Sequence, residues 1–304
     1  MSRAPGPGAR KTFSLTIEVP DGLPVTAPEL LARQCDLSRI AIKEAMQKGA
    51  VWVVPRGRRP QRLRRASTRL TTGDELRLHY DSEILGTSAP LARCLADHRR
   101  FSVWLKPAGL MVEGSRYGDH ATLLRQTELG FVPPRRCWLV HRLDREAHGL
   151  VLIAHTPDAA ARLSALFQTR TIEKRYLIEV VGRVGESGAT GEWQGAIEGK
   201  ASSTQWRVLE AEAAYSRLEI SMATGRHHQI RRHAEAAGHA VMGDPRYGQD
   251  NRHPGGLRLA AVALAFTDPW SRTPQRYSCE SEVREAWGWA PPAQSSGSTP
   301  DNAG

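Results

Sequence analysis

The chain has 304 residues, 40% of them hydrophobic, and 42 Lys and Arg against 32 Asp and Glu give it a formal charge of +10. That length suits one sizeable core plus a smaller module, since single cores stop growing at about 250–300 residues, and the charge favours a polyanionic partner, nucleic acid before an acidic membrane. No apolar run nears the ~18 residues that span a bilayer, no signal-peptide core follows "MSRAPGPGARK", and Cys35, Cys94, Cys137 and Cys279 lie too far apart for a disulfide framework or structural zinc, which argues against membrane and secreted classes and for a reduced cytoplasm.

Residues 1–10 are Pro/Gly-rich and expected to be disordered. "TFSLTIEV" then alternates Phe13, Leu15, Ile17 and Val19 on one face, the period of a half-buried strand. "APELLARQCDLSRIAIKEAMQKG" changes to helical spacing in two blocks, with Ser38 as N-cap of the second and Gly49 as its stop. Between Arg56 and Arg69, "RGRRPQRLRRASTR" carries seven arginines and no acid, and "GDELRLHY" resumes strand alternation at Leu76, Leu78 and Tyr80. Residues 1 to 90 hold 15 Lys/Arg against 9 Asp/Glu, so +6 of the total charge lies here. A lone charge run is often only a solvated surface. The asymmetry favours a contact surface for RNA or DNA, with Arg56, Arg58, Arg59, Arg62, Arg64 and Arg65 as candidate contacts. Residues 11–82 thus read as a small α/β module, and the aperiodic 83–98 as a linker.

"FSVWLKPAGLMV" opens a larger, strand-rich domain over 99–288. "GLVLIAH" has the pattern of a buried strand, and "TPDAAARLSALFQTR" that of a helix with Thr156 as N-cap and Pro157 in its first turn. "KRYLIEVVG", "SSTQWRVLEAE" and "YSRLEISMA" read as further strands, and "GRHHQIRRHAEAAGHA" as a loop and short helix closed by Gly238. The Pro/Ser/Gly-rich residues 289–304 are expected to be disordered.

No G-x-G-x-x-G, P-loop, H-E-x-x-H or G-x-S-x-G motif is present, which leaves nucleotide hydrolysis and zinc proteolysis without support. The histidines at 227, 228, 233 and 239 offer no i, i+4 pair, and 228 and 233 diverge by ~140° on a helix, so no metal is assigned. The remaining chemical candidate is Asp144 in "VHRLDREAHG", with Tyr176 and Arg231 in other polar-punctuated segments. On local grounds an Asp between arginines is a surface ion pair, a feature that contributes ~0–1 kcal/mol.

Four segments read together point elsewhere. "HRLD" with Gly149 and an aliphatic strand after it, "KRYLIEV", "GRHHQIRRH" and "GDPRYG" occur in that order over about residues 99 to 270, and the set resembles the RluA-type family of RNA pseudouridine synthases. "LLARQCDLSRIAIKEAMQKGAVWV" with "TTGDELRL" is similar to the small RNA-binding domain named after ribosomal protein S-four, except that the usual Asn-Gly after "VWV" gives way to the arginine insert.

The first resemblance implies an α+β catalytic domain with a central, mostly antiparallel mixed sheet, no cofactor or metal, and Asp144 as the catalytic aspartate. The uracil would be detached, turned and rejoined through carbon 5; attack by Asp144 on the sugar, on the base, or proton abstraction all stay open. Tyr176 would pack against the uracil and serve proton transfer, Arg231 would pair with Asp144 and keep it ionised, and Arg142 would act on the RNA or on the place the flipped nucleotide vacates. The implied partner is RNA, large-subunit ribosomal RNA first and transfer RNA second, bound by a monomer without membrane association. The sequence departs from the family's pattern at Ala147-His148, where Thr-Ser is usual, and at Leu259 to Ala261, where "LAA" replaces "L-H-A". With Asp144, Tyr176 and Arg231 all present the resemblance still implies an active enzyme, and Ala147-His148 is the feature that favours the rival, a non-catalytic RNA-binding or ribosome-assembly factor that keeps the fold.

Overall fold

The computed structural model describes residues 10–22, 26–222 and 224–289. The expected disorder at 1–9 and 290–304 therefore falls outside the described residues. Arg10 and Trp289, expected to share it, are placed: Arg10 pairs with buried Asp81, and Trp289 is 5% exposed.

In chain order the first elements are β1 (Thr12–Glu18), α1 (Ala27–Ala32), α2 (Arg39–Gln47), β2 (Val51–Val54), β3 (Gln61–Arg62), β4 (Glu75–Asp81) and α3 (Ser82–Gly86). There follow β5 (Arg93–Asp97), β6 (Phe101–Lys106), α4 (Leu123–Leu129), β7 (Trp138–Leu139), β8 (His148–Ala154) and α5 (Pro157–Gln168). The rest are β9 (Glu173–Val181), β10 (Thr190–Ile197), β11 (Lys200–Ala211), β12 (Tyr215–Ser221), α6 (Gln229–Ala236), β13 (Leu259–Thr267), β14 (Pro274–Ser278) and α7 (Glu280–Trp287). They form two compact units, Met1–Ala92 with Gly109–Leu139, and Arg93–Ala108 with Val140–Gly304.

The first unit carries an antiparallel sheet in the order β1-β4-β2-β3. Phe13, Leu15 and Ile17 are its half-buried positions, with Leu15 opposite Leu78 and Ile17 opposite Leu76, as the period-two pattern requires. The Ser38 hydroxyl accepts from the Ala41 amide and starts α2, which buries Ile42, Ala45 and Met46 against that sheet's core. Gly49, at φ +86°, ends it. The segment read as a linker is ordered: α3 starts at Asp81, whose carboxylate accepts from the Glu83 and Ile84 amides, and β5 pairs with β6. A one-turn helix and a largely exposed edge strand leave no periodic trace in sequence, which is why the segment reads as structureless. Gly109–Leu139, which the sequence reading placed in the larger domain, clusters with the first unit.

The second unit is built on a sheet in the order β10-β11-β12-β9-β13-β8-β6-β5, with β14 on β13. Every neighbouring pair along it is antiparallel except β13 and β8, which run parallel at Ala260–His148 and Ala261–Gly149. The expected mostly antiparallel mixed sheet is thus observed. β6 is buried along its whole length and β8 after its first residue, so apolar runs rather than alternation mark these central strands. α5 packs on β8 with Thr156 accepting from the Ala159 amide and Pro157 in its first turn, and α6 packs on β10 and β11.

Candidate active site

The loop before β8 is held from three sides. His141 accepts a hydrogen bond from the Leu152 amide (2.9 Å) and stacks on Phe167 at 4.4 Å; burial pushes its pKa down to about 3, so it is a neutral anchor that ties the loop to β8. Lys106, at the end of β6 and fully buried, donates to the carbonyls of Arg145 (3.1 Å) and Pro107 (3.0 Å). Burial lowers its pKa to about 7, against the opposing pull of Asp144 and Glu146. Gly149 has φ +130°, and a Cβ there would lie 2.2 Å from the Ala261 carbonyl oxygen, so only glycine lets β8 approach β13 in parallel.

Across from Asp144, α6 presents Arg231, 1% exposed. Its Nη1 donates to Asp144 Oδ2 at 3.1 Å, while Nε and Nη2 form a fork on Asp244 at 2.6 and 2.7 Å. Glu146 stands 3.6 Å away. Burial works against the guanidinium charge, but the bonds to Asp244 and then to Asp144 outweigh it and hold Arg231 above its ordinary pKa. Asp244 also accepts from the amides of Arg246 and Tyr247, so the "GDPRYG" turn fixes this carboxylate. His228 precedes α6 in the left-handed region (φ +56°), with Nε2 3.7 Å from Asp144 and Nδ1 3.1 Å from the Tyr247 hydroxyl; burial lowers its pKa although Asp144 pulls it up. The Tyr247 ring lies against the Arg231 guanidinium at 5.2 Å.

Tyr176, on β9, pairs in register with Ala261, the same residue that faces Gly149. Burial, and to a lesser degree Asp144, raises its pKa, so it is a neutral phenol able to donate. Asp144, Tyr176 and Arg231 line one cavity of about 130 Å³ with Arg142, between the apolar walls of Leu143 and Leu259. The sequence-predicted trio therefore meets at one place. A carboxylate that is 18% exposed, fixed by a buried cation and faced by a neutral phenol, can serve as nucleophile, as charge partner to an electron-poor carbon, or as base.

Three participants were missed from sequence. Asp244 lies inside "GDPRYG", yet no period marks a turn residue as buried; the sequence pairs Arg231 with Asp144 alone, whereas its main partner is Asp244. Lys106 is a cation inside an apolar strand, and His228 reads in sequence as an ordinary polar or RNA-contacting histidine. The histidines diverge: His227 stacks on His228, His233 bonds Thr204, and His239 lies 3.1 Å from the Val181 carbonyl. Among the described residues no three metal-ligating side chains come together, and no helix is long and apolar enough to cross a membrane.

In the first unit, the arginine insert divides. Arg56, Arg58, Arg59 and Arg65 are exposed, but Arg62 and Arg64 turn inward onto Asp119, at 18% and 22% side-chain exposure. Arg62 also lies over the Trp52 ring at 4.2 Å and donates to the Ser115 carbonyl. These two arginines therefore tie the insert down, with Asp119 taking up their charge and the Trp52 indole the planar face of Arg62.

Residues 100–236 match the model of a family described as RNA pseudouridylate synthase. The chain is 36% identical over 165 residues to the ribosomal large subunit pseudouridine synthase D of Nitrosomonas europaea, covering 49% of this chain and 47% of that one. It is 35% identical over 196 residues to the protein of the same name from Neisseria meningitidis serogroup A, covering 55% and 52%. The chain thus spans about half the length of the curated relatives it matches. Among solved structures, human RNA Pseudouridylate Synthase Domain Containing 1 superposes with TM-score 0.52 at 26% identity over 63% of this chain and 84% of that one. Human RNA Pseudouridylate Synthase Domain Containing 4 does so with TM-score 0.50 at 22% identity over 61% and 87%. The fold is that of the pseudouridine synthases.

Proposed function

We propose that the protein isomerises uridine to pseudouridine in RNA, with Asp144 as the catalytic carboxylate and large-subunit ribosomal RNA as substrate. The observation that carries this is the convergence of Asp144, Tyr176 and Arg231 on one cavity within the matched fold. In the reaction the bond from uracil nitrogen 1 to the ribose breaks, a bond from carbon 5 to the same sugar carbon forms, the carbon 5 hydrogen leaves to solvent and nitrogen 1 gains a proton. Asp144 supplies the negative charge that engages the sugar or the base, and Arg231 holds that charge in place. Tyr176 packs on the uracil and donates a hydrogen bond. The ribosomal substrate follows the relatives' printed names.

In the same reading the first unit docks on RNA as an S-four-like domain, supported by its two helices over an antiparallel sheet and the exposed Arg56, Arg58, Arg59 and Arg65. A base must leave its stack to enter the cavity, at a few kcal/mol, and phosphate contacts offset that cost. The test is release of tritium from carbon 5 of labelled ribosomal RNA. The wild-type chain is expected to release it and Asp144→Asn to release none while binding RNA within a few-fold. Release by a well-folded Asn variant at the wild-type rate would remove Asp144 from the chemistry.

A further inference from the structure

A second cavity of about 460 Å³ opens beside the Asp144 pocket and shares Arg142, Tyr176, Gly225 and Arg226 with it. Its wall adds Arg170, from the turn after α5, and Lys174, from the start of β9. It holds four cations and no carboxylate, and among the described residues none of the four has an ion pair. Arg226 Nε is buried without a hydrogen-bond partner, and the Lys174 ammonium lies 3.8 Å from where a Gly225 Cβ would stand. Arg142 and Arg170 are exposed, but Lys174 and Arg226 are partly buried, and partly buried cations without counter-charge are unfavourable unless an anion completes the site.

The wall also says which part of an RNA would fit. Phe167 already stacks on His141 and carries Lys174 at 5.8 Å from its ring centre, so the cavity offers charge rather than a free stacking face. His141, kept neutral by burial, adds none. Two cavities that share one wall, one small beside a carboxylate and one larger and cationic, match a base and the backbone it hangs from.

We propose that this second cavity holds the backbone phosphate adjoining the target uridine, with Lys174 and Arg226 as direct contacts and Arg170 at the rim. The assignment rests on the proposed isomerase reading, which fixes where the uridine sits. It makes Lys174 and Arg226 binding residues rather than groups of the bond chemistry.

The test uses the full chain and a fluorescein-labelled heptauridylate, titrated by anisotropy between about 50 and 200 mM salt. For single strands each phosphate contact contributes about 0.7 to the slope of log affinity against log salt. Lys174→Gln combined with Arg226→Gln is expected to flatten that slope by about 1.4, to weaken binding, and to raise KM for tritium release with kcat largely kept. Lys174→Arg should keep the wild-type slope. A double variant that unfolds with wild-type cooperativity and keeps the full slope overturns the proposal, as does a Lys174→Arg variant that loses as much slope as Lys174→Gln. A flattened slope in a protein that releases no tritium upholds the phosphate site and overturns the isomerase reading alone. Tritium release with an unchanged slope does the reverse.

Discussion

Arg231 is the residue on which the site's stability turns, and its two carboxylates should not share the load equally. It makes two short bonds to Asp244, whose side chain is 0% exposed, and one longer bond to Asp144, which is 18% exposed. Removing one partner of a buried pair costs about 3–5 kcal/mol because a charge is stranded. Asp244 keeps the Arg246 and Tyr247 amides when the guanidinium goes, which places Arg231→Met near the lower end, at about 3 kcal/mol. The Asp144 bond is single and within reach of water, so its share is about 1 kcal/mol. Asp244→Asn placed on Arg231→Met should therefore recover most of the lost stability, Asp144→Asn little, and neither any activity. Urea unfolding followed by tryptophan fluorescence, read at constant m, gives both coupling energies from two double-mutant cycles. A coupling to Asp144 as large as that to Asp244, or a cost for Arg231→Met below about 1 kcal/mol, would refute the reasoning.

The Lys106 ammonium has a folded pKa near 7 against 10.5 ordinarily, so between those values the unfolded chain binds more protons and stability should rise with pH, by up to about 1.4 kcal/mol per unit. Below the lower value both states are charged and the gain is absent; Lys106→Met should abolish the dependence, and an unchanged profile of unfolding free energy against pH would contradict the assignment. Arg58→Gln, Arg59→Gln and Arg65→Gln together should flatten the salt dependence of RNA binding by about 0.7–0.9 per lost phosphate contact. Arg64→Gln should instead act on folding, since it leaves half-buried Asp119 with fewer donors; loss of RNA affinity at wild-type stability would show that Arg64 faces RNA after all. Ala260→His alone should overpack a fully buried position at about 1–3 kcal/mol, and His148→Ser added to it should recover part; strictly additive costs in unfolding would mean that the two sites do not communicate.

What was legible in sequence was whatever local period or cap chemistry writes down. The alternation of Phe13, Leu15 and Ile17, the Ser38 and Thr156 caps and the stop at Gly49 all became the elements they imply. The meeting of Asp144, Tyr176 and Arg231 was legible only through the order of four motifs, because β8, β9 and α6 lie far apart in the chain. Segment 83–98 failed because a single turn and an edge strand need no amphipathic pattern. In the insert from Arg56 to Arg69 the ties of Arg62 and Arg64 were not legible, because composition counts charges and not their partners. Asp119 lies 55 residues from Arg64, beyond any window in which a charge run can be weighed against its counter-charge.

The departures at Ala147-His148 and at Leu259 to Ala261 read in sequence as two separate changes, pointing to an unusual substrate or weak activity, with the first also favouring the non-catalytic rival. In the sheet, positions 148 and 260 fall on one rung. His148 pairs with Ala260 across the parallel β8–β13 ladder, so the position that lacks the usual histidine faces the one that has gained it. An imidazole is therefore still carried at this rung, on the neighbouring strand, and a second would have no room while Ala260 is 0% exposed. His148 lies within electrostatic reach of Lys106, whose ammonium bonds the Arg145 carbonyl beside Asp144. The changes at 148 and 260 therefore count as one altered rung rather than as two separate marks against the proposed enzyme, a pairing that only the folded chain displays.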